Sequence, residues 1–167
     1  ENVHLVEITA YSDDDAYTIF ETMNDRGLSL SPTDMLKGYL LANIDDGSKR
    51  TVANNLWRVR IRELNETGKE AEPDCFKAWL RSQYATKIRE RKKNAKAEDF
   101  DRIGTEFHRW LRDASNSVGL KNSADFYRFI DLDFNFYSRQ YLRLTKASQT
   151  KVDGLEHVLY NAQHGFT

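Results

Sequence analysis

Ile19-Phe20-Glu21-Thr22-Met23-Asn24-Asp25-Arg26-Gly27-Leu28-Ser29-Leu30-Ser31-Pro32-Thr33-Asp34 carries two helix signals on either side of a polar corner. Upstream, Asp15, Ala16, Ile19, Phe20 and Met23 recur at the 3.6-residue spacing of a helix with one apolar face. Gly27 accepts the left-handed conformation that ends a helix, and Asn24 is one of the few other residues that tolerates it. Downstream, Ser31 caps the free N–H groups of a new helix and Pro32 takes the first position, where its missing donor costs nothing. Asp34 stands at the capping-box position. The corner itself has two readings. In one, Asn24 and Gly27 set the turn while Arg26 ties off helix carbonyls or a neighbouring carboxylate. In the other, Arg26 and Asn24 project toward an anionic ligand such as a phosphate, which a planar, always-charged guanidinium suits.

Outward from this corner the chain continues as helices. Upstream, Val3-His4-Leu5-Val6-Glu7-Ile8-Thr9-Ala10 is β-branched and apolar and reads as the one strand. An isolated strand needs a partner, so this one implies strands further upstream. Helices are expected at about 13–24 and 31–44, then, after the Asp45-Asp46-Gly47 break, at about 48–66. The 48–66 helix carries Val52, Leu56, Val59, Trp57, Ile61 and Leu64, with Arg58, Arg60 and Arg62 between them as a solvated face. Pro73-Asp74 opens a fourth helix with Phe76, Trp79, Leu80, Tyr84 and Ile88 inward. A fifth spans about 98–115, with Phe100, Ile103, Phe107, Trp110, Leu111 and Ala114 on one face. Asn116 to Asn122, containing Gly119, reads as a turn. The longest helix, about 123–147, repeats Phe126, Ile130, Phe134, Tyr137, Tyr141 and Leu144, with Phe129, Leu132 and Phe136 broadening its apolar face. A short helix at about 153–164 closes the sequence.

The expected fold class is therefore mainly α: an irregular helical bundle of six to seven helices with one N-terminal strand. Trp57, Phe76, Trp79, Phe107, Trp110, Phe126 and Phe134 are its expected core. The long aromatic stripe reads as packing material, not as a ligand box.

One charge cluster interrupts the pattern. Lys87, Arg89, Arg91, Lys92, Lys93 and Lys96 place six cations against the single acid Glu90. They serve either as helix-dipole compensation and a solvated loop at the end of the fourth helix, or as a phosphate-contacting patch. No aromatic side chain lies among them, so base stacking is not indicated. His157 and His164 share a helix face two turns apart, a poor metal site without carboxylates beside it. His108, next to an apolar stripe, reads as a partly buried helix residue. The sole cysteine, Cys75, reads as a buried apolar filler and excludes an internal disulfide.

Across 167 residues the formal net charge is -1, so no global field draws the chain to nucleic acid or a membrane and any basic function is local. No apolar run approaches the roughly 20 residues that cross a bilayer. A cytoplasmic location is the default expectation. Two prolines and eight glycines are too few for a many-turned all-β protein.

The run Phe20-Glu21-Thr22-Met23-Asn24-Asp25-Arg26-Gly27-Leu28-Ser29-Leu30-Ser31, followed by Asp34, Lys37 and Tyr39-Leu40-Leu41, resembles the GmrSD-type restriction endonuclease family. The similarity lies in the later, helical part of that family's N-terminal domain. It continues through Phe76-Lys77-Ala78-Trp79-Leu80-Arg81, Ile88 to Lys93, Gly104 to Trp110, and Gly154 to Ala162. Family members carry an Asp-Gly-Gln-Gln-Arg motif on a ParB/sulfiredoxin-like subdomain tied to nucleotide hydrolysis. Many add a C-terminal His/Asn metal-dependent nuclease domain. Neither motif occurs in this sequence, so it reads as a middle segment of a longer protein: 1–44 ending the nucleotide-linked subdomain, 45–167 a helical bundle. The resemblance implies a parent restriction enzyme that uses a nucleoside triphosphate and a divalent metal against foreign, modified DNA. This segment would be inactive alone and would have as partners DNA and the flanking subdomains. Asn24, Arg26 and Gly27 are then the candidates for sensing nucleotide. The alternative expectation is a non-enzymatic DNA-binding or protein-interaction module that uses residues 87–96.

Overall fold

The computed structural model describes residues 30–93 and 95–149. The expected strand at 3–10, the helices at 13–24 and 153–164, the Asn24-Arg26-Gly27 corner and the pair His157 and His164 lie outside the described residues. All described helices belong to one compact unit that begins at Pro32.

Helix α1, Pro32–Ala42, starts where Ser31-Pro32-Thr33-Asp34 directs. It ends two residues earlier than the pattern suggests, because Ile44 leaves the helix to bury its side chain completely. Arg50 donates through Nε and Nη2 to the Ile44 carbonyl at 2.8 and 2.6 Å and fixes this corner. Helix α2, Gly47–Asn65, is capped by Asp46, whose Oδ1 accepts from the Ser48 and Lys49 N–H groups at 2.8 and 3.1 Å. Those two bonds hold the Asp46 carboxyl below its ordinary pKa. The Asp45 N–H donates to Ser123 Oγ at 2.9 Å, tying the corner to a distant helix start.

Helix α3, Ala71–Tyr84, begins two residues before Pro73, which sits within the first turn where a missing N–H leaves no bond unmade. Helix α4, Asp99–Asp113, is kinked at Glu106, whose φ of -145° and ψ of 47° are not helical. Arg102 spans the kink, bonding Glu106 at 3.0 Å and Asp113 at 2.6 Å. A short helix α5, Ser115–Val118, occupies half of the expected turn and ends at Gly119 with φ of 91°, a left-handed conformation that suits glycine.

The long helix is continuous but not uniform. It runs as α6, Ser123–Arg128, then a π-helical turn, Phe129–Phe134, then α7, Asn135–Gln149. The reason is legible in one buried row, Phe126, Ile130, Phe134, Ser138 and Leu142, one every four residues, with Phe129 and Ala147 buried beside it. In an unbroken α-helix each four-residue step drifts by about 40°, and the set would wander by about 160°. The wider i→i+5 turn takes up that drift. In consequence Leu132, Phe136 and Leu144, expected on the apolar face, are exposed.

All seven expected core aromatics are buried in one cluster. Phe76 sits at its centre, with ring centroids 5.1 Å from Phe134, 5.6 Å from Phe107 and 5.3 Å from Trp57. Leu36 and Leu40 of α1 pack into the same cluster. Of the α2 stripe, Trp57 and Leu64 go inward whereas Val52 and Val59 stay exposed. Cys75 is a buried filler beside Leu64 and Leu142, and burial pushes its thiol up to about 12. His108 is buried in α4. Among the described residues no helix is long and apolar enough to cross a membrane, and no group of His, Cys, Asp or Glu is placed to hold a metal.

Candidate nucleic-acid interface

The basic run lies on a loop, not on the end of a helix. Helix α3 stops at Tyr84, and Ala85 is already extended, with φ of -70° and ψ of 109°. The described residues 85–93 and 95–98 then run without helix or strand to the start of α4. A helix dipole acts only on its last turn, and here that turn holds Arg81. Dipole compensation therefore does not account for the cations from Lys87 onward. Ile88, expected inward, is 73% exposed for the same reason.

The loop is held by its backbone. Thr86 donates through its N–H and hydroxyl to Asp99 Oδ2 at 3.4 and 3.0 Å. The Phe100 N–H donates to the Lys87 carbonyl at 3.1 Å, and the Arg89 N–H to Asp101 Oδ2 at 3.2 Å. Asp101 also accepts from the Glu98 N–H at 3.3 Å, closing the first turn of α4. The indole N–H of Trp110 reaches Asp99 Oδ1 at 3.1 Å. Burial opposes the charge on Asp99, but the bonds from Trp110 and Thr86 outweigh it and hold the carboxyl below its ordinary pKa.

Arg81 ties the end of α3 to the start of α4. Its Nε donates to the Phe100 carbonyl at 2.9 Å, and its guanidinium lies 4.1 Å from the centre of the Phe100 ring. The same group fills the space beside Gly104, where any Cβ would collide with it. Phe100, expected on the apolar face of this helix, is instead exposed against Arg81.

These anchors leave the cationic side chains outward. Lys87, Arg89, Arg91, Lys92, Lys93 and Lys96 are all exposed. Lys92 pairs with Glu90 at 2.8 Å. No ion pair of the described residues involves Lys87, Arg89, Arg91, Lys93 or Lys96. Such a surface attracts a polyanion, and its affinity must fall with salt. Sequence reasoning finds the cations but misses Thr86, Arg81, Asp99 and Asp101, the groups that present them. The one available signal is the acidic start Glu98-Asp99 with Asp101, directly after a basic run. The other expected site residues, Asn24, Arg26 and Gly27, lie outside the described residues. No family model, curated protein or solved structure matches this chain.

Proposed function

We propose that this helical body is a DNA-contacting segment of a nucleotide-dependent, modification-directed restriction protein, without a catalytic centre of its own. The restriction context rests on the resemblance carried by Phe20 to Ser31 and the later matched stretches. The DNA contact rests on one observation: a loop whose backbone is fastened at Thr86, Lys87 and Arg89 by Asp99, Asp101 and the Phe100 N–H while its exposed cations face outward. A fastened loop loses less conformational freedom on binding than a free one, so more of each phosphate contact survives as affinity. The contacts are to the backbone, which positions a protein on DNA without reading sequence. In the parent protein, recognition of modified bases and cleavage then belong to other domains, and Asn24, Arg26 and Gly27 respond to nucleotide.

Fluorescence anisotropy with labelled duplex DNA over a salt series tests the DNA reading. Binding of the wild-type chain should weaken steeply with salt. Replacing Arg89, Arg91 and Lys93 by glutamine should lower the slope of log K against log salt by about 0.9 for each phosphate no longer neutralised, roughly 2–3 in total. An unchanged slope sends the loop back to a solvated surface. In a longer protein containing the upstream subdomain, Arg26→Ala should weaken the nucleotide response. An unchanged response in a stably folded variant would assign Arg26 to the turn alone.

A further inference from the structure

Helices α1 and α2 border an open cleft of about 820 Å³. Ligand sites span roughly 300–1,000 Å³, so the space is adequate for a nucleotide-sized molecule. Asn55, Arg58, Arg62 and Asn65, spaced three, four and three residues apart, form one stripe along α2. This stripe lies away from the buried Ala53 and Leu64, and Trp57, Val59 and Ile61 also line the cleft. Lys37 reaches the cleft from α1.

The electrostatics of this stripe are unusual for a solvated face. Arg58 and Arg62 stand one turn apart, a like-charge pair that weakens an exposed helix. The intervening Arg60 shows the ordinary solution, since it pairs with Glu63 at 3.0 Å. No ion pair of the described residues involves Lys37, Arg58 or Arg62. Two carboxylates, Asp34 and Glu66, also border the cleft. Asp34 lies in the first turn of α1, where the helix dipole favours its charge, and Glu66 lies at the cap of α2.

We propose that this cleft binds a phosphate-bearing anion. Arg58 and Arg62 supply planar two-pronged donors, Lys37 a point charge from the other wall, and Asn55 a flanking amide donor, while the Asn65 amide donates to Glu72 at 3.1 Å. A phosphate offers several acceptor oxygens around one centre, which suits two guanidinium forks and an ammonium better than a single carboxylate does. Two sources carry that chemistry: a free polyphosphate, such as the tail of a nucleotide, and the backbone of a nucleic-acid strand. The cleft is independent of the basic loop and does not require the loop to touch DNA.

The test is an NMR titration of the isotope-labelled chain, reading the Arg Nε–H and Asn side-chain amide signals. Sodium tripolyphosphate, a short oligodeoxythymidylate and an oligoglutamate of matching charge serve as separate probes. A phosphate probe should shift the Arg58, Arg62 and Asn55 signals. Arg58→Gln with Arg62→Gln should raise its Kd about tenfold or more. Glutamine keeps helix propensity, and an unchanged melting temperature verifies the fold. A response to tripolyphosphate identifies a free-polyphosphate site, whereas a response to the oligonucleotide alone identifies a strand site. Silence with both, an unchanged Kd in the double variant, or equally tight oligoglutamate binding overturns the proposal. Parallel titration of the Arg89, Arg91 and Lys93 glutamine variant should leave the cleft signals responsive, so failure of the loop reading is seen separately.

Discussion

Trp110 donates its indole N–H to Asp99 at 3.1 Å, so a single carboxylate connects the aromatic core to the start of the basic loop. Asp99→Ala should leave the Trp110 donor unmet and release Thr86, costing about 1–3 kcal/mol in urea unfolding. Asp99→Asn retains an acceptor oxygen and should cost less. Amide exchange at Thr86 should accelerate in the alanine variant. If that exchange is unaltered, the loop is held elsewhere.

The perturbed carboxyls Asp99 and Asp133, one lowered and one raised, should respond oppositely to acid. Asp99 is held below the ordinary value of 3.8 in the folded chain. Its contribution is therefore complete above that value and is lost as pH falls through the lower folded value. Asp133 is pushed above 3.8 by burial, against a smaller pull from Arg128. Its charge thus works against the fold at neutral pH, and protonation relieves it. Asp133→Asn should raise the melting temperature at pH 7, with the gain shrinking as pH falls through the raised folded value and gone below the ordinary value of 3.8. A gain that persists unchanged at pH 3 would have another origin.

Gly104 and Arg81 should be energetically coupled. In an exposed helix interior, Gly→Ala gains up to about 1 kcal/mol. At this position the new methyl group meets the Arg81 guanidinium, which must leave the Phe100 ring to make room. Gly104→Ala alone should therefore be close to neutral. In an Arg81→Ala background the same change should recover the full propensity gain. Additive effects in the double-mutant cycle would mean that Arg81 is not confined there.

Two phenylalanines two residues apart should behave very differently. Phe134→Ala opens the centre of the aromatic stack and should cost about 3–5 kcal/mol. Phe136 is 55% exposed, and Phe136→Ser should change stability by no more than about 0.5 kcal/mol. Equal costs would contradict the facing set by the π turn.

The core was legible because its aromatics repeat at helical spacing and because bulky side chains have few other places to go. The end of α3 was not. Between Tyr84 and Glu98 there is no Gly or Pro, and Ile88 continues the apolar spacing, so local signals extend the helix. What ends it is tertiary: Asp99, Asp101 and Phe100 draw the backbone at Thr86, Lys87 and Arg89 away toward α4. For the same reason the cations of the candidate interface could be read from the sequence, but their presentation could not. The exposure of Leu132 and Phe136 is hidden in the sequence because an α-helical period does not hold across a turn of a different width.

That wide turn also makes the long helix unevenly tolerant of changes in length. Removing one residue from an ordinary α-helical stretch rotates everything beyond it by about 100°. Within Phe129–Phe134, the loss of an outward residue such as Leu132 can be absorbed by tightening the turn to an ordinary α-helical one. Ser138 and Leu142 would then keep facing the core, so this segment is where the helix can be shortened by one residue without turning its far half away.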